Sequence, residues 1–312
     1  MNRLLILSAE AAVYQTLVES ADLPQLKINI ATDAETAGPL LTDCNIILGD
    51  PPLVSKVLGQ APALQWVQSS WAGVDSLCRK GQRCDYLLTG AKDVFGPLMS
   101  EYMMAYLLMF ERQILTMLEN QRKKKWLPLG YRPVAEITLG VVGLGSIGKH
   151  LAKTARYFGI RVIGLNRSGK ACRHVEEVYT EDDCRAFFGQ SDYIIVTLPD
   201  TPKTRHFINA EKLGLMKSSA VLMSVGRGGT LNEEHLAGAL REGIIAAAVL
   251  DVFEQEPLPK DSPLWGLPNV YITPHNAATS FPADIAAIFI ENYRRFIKTT
   301  DLHYVIDFEA GY

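Results

Sequence analysis

The chain has 312 residues, 48% hydrophobic and 21% charged, with a formal net charge of −3. That length accommodates two ordinary domains, and the composition supports real cores. The near-neutral charge supplies no basic field for nucleic acid, and the longest apolar run, 103–110, is too short to span a bilayer, so neither nucleic acid nor membrane is expected as a partner.

At the start, 4–7 is a short apolar stretch between Arg3 and Ser8-Ala9-Glu10, far below the apolar core of a signal peptide, so a cytoplasmic protein is expected. The stretches 4–7, 27–30, 45–48, 64–68 and 86–89 read as strands, separated by helical patterns such as 10–20 and 53–58. Continuous apolar strands alternating with helices predict a parallel sheet covered on both faces. After Gly96-Pro97 the spacing predicts one long helix over 100–125, with Ser100 as its cap. Its apolar residues form two interleaved series: Met103, Leu107, Phe110, Ile114 and Met117, then Met104, Leu108, Leu115 and Leu118. So wide a stripe predicts burial on more than one side, between domains or at a dimer contact. The end, Arg122-Lys123-Lys124-Lys125, reads as a solvated cationic terminus that complements the helix dipole.

A second alternating series begins at Thr138, with strands expected at 139–142, 161–165, 193–198, 220–225, 245–249 and 270–273. Helical patterns include 147–158 and 232–241, and a last helix over 283–298 follows Phe281-Pro282. The five cysteines (Cys44, Cys78, Cys84, Cys172, Cys184) are scattered, odd in number and without a Cys-x-x-Cys pair. They are expected as reduced thiols filling small apolar spaces. No two of the six histidines sit at ligand spacing, so no metal site is expected.

The segment Gly143-Leu144-Gly145-Ser146-Ile147-Gly148 follows an apolar strand and opens a helix. In that context the first glycine permits a tight turn, the second lets backbone approach a pyrophosphate, and the third lets helix and strand pack closely. The near-match to a phosphate-binding loop of triphosphatases fails, because His150 follows Lys149 where a magnesium-holding Ser or Thr is needed. At the end of the next strand an NAD site usually has Asp or Glu; here stand Asn166, Arg167 and Ser168, with Lys170 close behind. A guanidinium and a hydroxyl suit a 2′-phosphate, which predicts NADPH as the preferred cofactor and NADH as the alternative.

Three further segments end strands: Ser224-Val225-Gly226-Arg227-Gly228, Leu250-Asp251-Val252-Phe253-Glu254-Gln255-Glu256-Pro257, and Thr273-Pro274-His275-Asn276-Ala277-Ala278. Parallel sheets put ligand sites at strand C-termini, so the three can converge. Reduction of a 2-oxoacid needs a hydride donor, a cation for the carboxylate and carbonyl oxygen, and a proton donor. Arg227 supplies a bidentate clamp, His275 a general acid, and Glu256 a carboxylate to orient and charge the imidazole.

With these segments, and with Leu198-Pro199-Asp200-Thr201-Pro202-x-Thr204, the chain resembles the D-isomer-specific 2-hydroxyacid dehydrogenase family over nearly its whole length. It is most similar to the bacterial glyoxylate/hydroxypyruvate reductase A branch, through Ala72-Gly73-Val74-Asp75-Ser76, Glu256-Pro257-Leu258-Pro259, Ser262-Pro263-Leu264-Trp265 and the terminal Gly311-Tyr312. The resemblance implies that Leu198, Pro199 and Thr204 border the cofactor, with Val225, Gly226 and Asp251 beside them. It also implies that the loop carrying Trp71, Ala72, Gly73 and Val74 offers amides to the substrate carboxylate. The architecture it implies is α/β: two Rossmann-like, doubly wound parallel-sheet domains with an active-site cleft between them. Residues 1–99 plus 283–312 would form a flavodoxin-like substrate domain, residues 100–282 the NAD(P)-binding domain, and the long helix a homodimer contact. The branch carries Trp and Arg at positions aligned with Gly49 and Phe281, so a bulkier, more apolar 2-oxoacid stands as an alternative substrate. A non-enzymatic NAD(P) sensor on the same fold is the other alternative, disfavoured by the intact trio. A formate dehydrogenase is disfavoured by Glu256, since that branch has Gln there.

Overall fold

A computed structural model describes residues 1–311, so Tyr312 of the terminal pair lies outside the described residues. The chain divides into two compact units, one of Met1–Val94 with Ser280 onward, the other Phe95–Thr279. The crossings thus fall five and three residues earlier than the boundaries expected from sequence, because Phe95 and the helix that follows it pack wholly with the second unit.

The first unit holds strands β1 (Asn2–Leu7), β2 (Leu26–Ala31), β3 (Ile46–Gly49), β4 (Trp66–Ser69) and β5 (Leu87–Thr89). They form one parallel sheet in the order β2-β1-β3-β4-β5. This is the flavodoxin-like order, with its switch point between β1 and β3. β1, β3 and β4 are almost wholly buried, which accounts for their unbroken apolar runs. Trp66 stacks on Phe289 of the returning helix Pro282–Phe296, centroids 5.1 Å apart, which fastens that helix to the sheet.

The second unit holds β6 (Thr138–Val142), β7 (Arg161–Leu165), β8 (Glu177–Tyr179), β9 (Tyr193–Val196), β10 (Val221–Ser224), β11 (Ala247–Leu250) and β12 (Val270–Ile272). All pair in parallel in the order β12-β11-β10-β9-β6-β7-β8, the dinucleotide-fold order extended by one strand. The switch point lies between β6 and β9. β8 was not foreseen, because Glu-Val-Tyr is too short and too polar to read as an apolar run; it sits at the sheet edge, where one side faces solvent.

The single helix expected over 100–125 is two helices, Gly96–Glu111 and Ile114–Arg122, separated by Gln113 in a left-handed conformation (φ 48°). The first begins four residues earlier than expected, because Pro97 occupies a first-turn position where its missing N–H costs nothing. Ser100 is therefore not a cap. It is buried in the second turn, its hydroxyl 2.9 Å from His150 Nδ1 and 3.1 Å from Thr154. The apolar stripe also divides: Met103, Met104 and Leu107 are core, whereas Ile114, Leu115, Met117 and Leu118 are exposed. The cysteines are all free thiols: Cys44 is buried, Cys78 and Cys184 are partly buried against the apolar cores, and Cys84 is exposed and fills no apolar space.

Candidate active site

The glycine loop turns between β6 and helix Ser146–Tyr157. Gly143 has φ +96°, and a Cβ on Gly148 would sit 2.0 Å from the Gly143 carbonyl oxygen, so neither position admits a side chain without movement. Gly145 differs: a Cβ there would meet nothing within 4 Å. It is exposed at the start of a helix with no side-chain cap hydrogen bond, where first-turn N–H groups lack intrahelical acceptors. That is a cradle for an anion, and a dinucleotide pyrophosphate fits it. Leu144 and Ile147 are half-buried and pack against the sheet core. Thr197, just past β9, donates its hydroxyl proton to the Gly143 carbonyl oxygen at 2.8 Å and so ties the loop to the neighbouring strand end across the switch point.

Past β7, Asn166 uses its side chain to build a tight turn. Its Oδ1 accepts from Ser168 N–H at 3.0 Å and Gly169 N–H at 2.8 Å, and its Nδ2 donates to the Lys170 carbonyl at 3.3 Å. Arg167, Ser168 and Lys170 are left exposed on this turn. Asn166 is thereby a scaffold for its basic neighbours. Past β9, Thr204 plays a similar internal part: it accepts from Thr201 N–H at 2.9 Å and donates to the Pro199 carbonyl at 2.6 Å, fixing the Leu198-Pro199 loop.

Beyond β10, Gly226 lies against the Leu198 backbone. Gly228 approaches Phe253 so closely that a Cβ would stand 1.9 Å from its carbonyl carbon. The loops after β9, β10 and β11 are therefore packed backbone on backbone, and Arg227 sits between Gly226 and Gly228 at their junction, with Nη1 on the Gly226 carbonyl at 2.8 Å. Glu256 accepts at both oxygens: Oε1 from Phe253 N–H at 3.0 Å, Oε2 from His275 Nδ1 at 2.7 Å. Burial would raise the Glu256 pKa, but its bonds from His275 and Phe253, with the charge of Arg227, hold it below the usual carboxylate range. The hydrogen bond to Glu256 raises the His275 pKa against desolvation and Arg227, and the Asp251 charge adds to the rise. Nδ1 is occupied by Glu256, so Nε2 is the ring atom left for a reacting group.

Asp251 is 1% exposed, and its carboxylate is turned into the His275 loop, where it accepts from the Thr273 hydroxyl and from Asn276 and Ala277 N–H groups. In the first unit, the loop carrying Trp71, Ala72, Gly73 and Val74 follows β4. Ser69 Oγ holds it by donating to the Trp71 carbonyl at 2.7 Å, and Trp71 is 43% exposed. Thr197, Thr273 and Phe253 had no role assigned from sequence, though Thr273 and Phe253 lie within the strand-end segments that carry His275 and Glu256.

A parallel dinucleotide fold with an imidazole–carboxylate pair and an arginine at adjoining strand ends defines an oxidoreductase of the nicotinamide-linked class. The profile of the "D-isomer specific 2-hydroxyacid dehydrogenase, NAD binding domain" family matches residues 104–277. A solved structure of a member from Aeromonas salmonicida subsp. salmonicida is similar at 43% identity, covering 98% of this chain and 99% of that one, with a TM-score of 0.94. An NADPH-dependent glyoxylate/hydroxypyruvate reductase from Sinorhizobium meliloti, solved with NADP and sulfate, is 29% identical with a TM-score of 0.87, covering all of both chains. Glyoxylate/hydroxypyruvate reductase A of Photorhabdus laumondii is 32% identical over 265 residues, 82% of this chain and 84% of that protein. The chain belongs to the D-isomer specific 2-hydroxyacid dehydrogenase family and is an NAD(P)-dependent oxidoreductase.

Proposed function

We propose that this enzyme reduces a 2-oxoacid of the glyoxylate/hydroxypyruvate class to the D-2-hydroxyacid with NADPH, His275 supplying the proton. The observation that carries the reading is the 2.7 Å contact of His275 Nδ1 with Glu256, within electrostatic reach of Arg227. The bound dinucleotide supplies the hydride. Glu256 orients the imidazole and keeps it protonated, so that Nε2 donates to the carbonyl oxygen as negative charge develops there. The Arg227 guanidinium binds the substrate carboxylate and stabilises the same oxygen. The amides of the loop carrying Trp71, Ala72, Gly73 and Val74 serve substrate recognition. Gly143 to Gly148 hold the pyrophosphate, while Arg167, Ser168 and Lys170 hold the 2′-phosphate; the NADPH dependence of the Sinorhizobium meliloti relative supports that choice. Leu198, Pro199, Val225 and Gly226 would border the nicotinamide half, and Asp251 acts through the His275 loop that its carboxylate braces.

The exposed apolar residues on 114–131 support a homodimer through that arm. Five free cysteines suit a reducing compartment, and the cytoplasm is the proposed location. A second reading, a bulkier apolar 2-oxoacid, is favoured by exposed Trp71 and by Gly49 in place of a branch tryptophan. Catalytic efficiencies across a 2-oxoacid panel separate the two. The chemical reading is tested with His275→Gln, which is expected to bind NADPH nearly as the wild type while kcat falls about 10²–10⁴-fold. Near-wild-type turnover would remove His275 from the mechanism.

A further inference from the structure

The His275 loop hangs on a hydrogen-bond chain that ends on a helix far away in sequence. Tyr102, on helix Gly96–Glu111, meets Thr273 at the end of β12, with Oη 2.7 Å from Oγ1. Thr273 Oγ1 in turn lies 2.6 Å from Asp251 Oδ1. A hydroxyl has a single proton, and an ionised carboxylate only accepts. The Thr273 proton is therefore committed to Asp251, and Tyr102 must be the donor to Thr273. The remaining side-chain contacts of Asp251 are also with donors, Asn276 N–H at 2.9 Å and Ala277 N–H at 3.1 Å, as suits an ionised group.

The same aspartate holds the loop by its main chain, its carbonyl accepting His275 N–H at 2.9 Å. His275 has φ +51°, an uncommon conformation for a residue with a Cβ, and the bond to Asp251 helps to hold it there. At the other end of the chain, the Tyr102 ring packs on Tyr106 with centroids 4.9 Å apart. Tyr106 and Phe110 then pack on Tyr271 of β12 at 6.3 and 5.2 Å. One helix thus grips both the strand and the loop that it delivers.

We propose that Tyr102 and Thr273 are positioning residues of the reaction, holding His275 through Asp251 in the backbone conformation that presents its imidazole to Glu256. This rests on His275 being the proton donor. The charged and titratable groups that face His275 are Glu256, Arg227 and Asp251, and those that face Asp251 include Tyr102 and Tyr106. A loop released from Thr273 weakens the contact of His275 with Glu256, and with it the main cause that favours the imidazolium.

The test uses the whole enzyme with NADPH and glyoxylate, and compares Thr273→Val, Thr273→Ser, Tyr102→Phe and His275→Gln. Thr273→Val keeps the shape of the side chain and removes its hydroxyl; Thr273→Ser restores the hydroxyl. The expected result is a kcat at least tenfold lower for Thr273→Val, with the KM for NADPH within twofold of wild type. Thr273→Ser should keep at least half of kcat, and Tyr102→Phe should fall between the two. Independently of any substrate, NMR titration of the His275 imidazole should show its midpoint moved to lower pH in Thr273→Val, because a loop no longer held loses the Glu256 bond that raises it. Wild-type kcat together with an unmoved His275 titration in Thr273→Val overturns the proposal. So does a loss of activity matched by equal losses of NADPH binding and melting temperature with the titration unmoved, which is general damage to packing. If His275→Gln retains turnover, the proton-donor reading is what fails, and the NMR titration still decides whether the chain positions the loop.

Discussion

His275 and Glu256 meet at 2.7 Å through Nδ1 and Oε2, and the same carboxylate is braced at Oε1 by the Phe253 amide. The carboxylate therefore cannot swing away from the ring without losing a second bond. The hydrogen bond to Glu256 is the largest cause raising the His275 pKa. A raised pKa keeps the imidazolium to higher pH, so the reduction rate should fall only as pH rises through that elevated value. In Glu256→Gln the leading cause is gone, and the alkaline limb of the kcat profile should move to lower pH. A pH series at saturating NADPH reads this directly; a limb that stays in place would assign it to another group.

Cofactor choice turns on the Asn166 turn. Arg167, Ser168 and Lys170 are exposed on it, and no carboxylate stands where an adenosine ribose would be bound through its hydroxyls. Arg167→Asp should repel a 2′-phosphate and accept the hydroxyl, reversing the ratio of kcat/KM for NADPH and NADH. Each charge-assisted hydrogen bond lost is worth about 1.5–3 kcal/mol, or roughly tenfold to a hundredfold. Equal efficiency of the wild type with both cofactors would refute the preference itself.

Two glycines of one loop should answer differently to the same substitution. Gly148→Ala puts a methyl group against the Gly143 carbonyl oxygen, a backbone atom that cannot yield cheaply. Overpacking of that kind costs about 1–3 kcal/mol, so the melting temperature should fall along with NADPH affinity. Gly145 has φ −75° and open space around its Cβ position, so Gly145→Ala should change stability by no more than about 0.5 kcal/mol. It should still weaken NADPH binding, since the methyl group occupies the approach of the pyrophosphate. Thermal melts and NADPH titrations of both variants check the contrast; unchanged affinity in Gly145→Ala would place the pyrophosphate elsewhere.

Much of this site was legible in sequence because it is carried by strand ends. Buried parallel strands are unbroken apolar runs, and the first few residues after each run fall at the C-terminal edge, where Gly143, Leu198, Arg227 and Asp251 stand. What holds those residues in place was not legible. Tyr102 sits between the apolar positions of its helix and gave no pattern of its own, yet its hydroxyl reaches Thr273 across 171 positions. Asp251 reads as a residue beside the nicotinamide, and its carboxylate is spent on loop amides. The left-handed backbone of His275 is held by a tertiary bond to the Asp251 carbonyl beside a local one to Thr273, and the partner 24 positions away left no mark in the local sequence. The helix start was misjudged for a local reason: Pro97 breaks a helix interior but favours a first turn.

The arm over 114–131 leads to the last expectation. Ile114, Leu115, Met117, Leu118, Leu127 and Tyr131 are all exposed, and Trp126 is 99% exposed. Monomeric proteins rarely leave so many large apolar side chains together in water. The base of the arm is nonetheless firmly set: Arg132 pairs with Glu111 at 2.8 Å and with Asp192 at 3.3 Å, and the Arg112 guanidinium lies 4.2 Å over the Tyr131 ring. A fixed apolar arm on a cofactor-binding unit suits a two-fold contact with a second copy, in which the same surface serves both partners. Sedimentation of the wild type should give twice the chain mass of 34.5 kDa. Leu118→Asp combined with Trp126→Asp should give the single-chain mass, because a charge buried at such a contact is left without a partner. A wild type that sediments as a single chain at micromolar concentration would show that the arm serves another purpose.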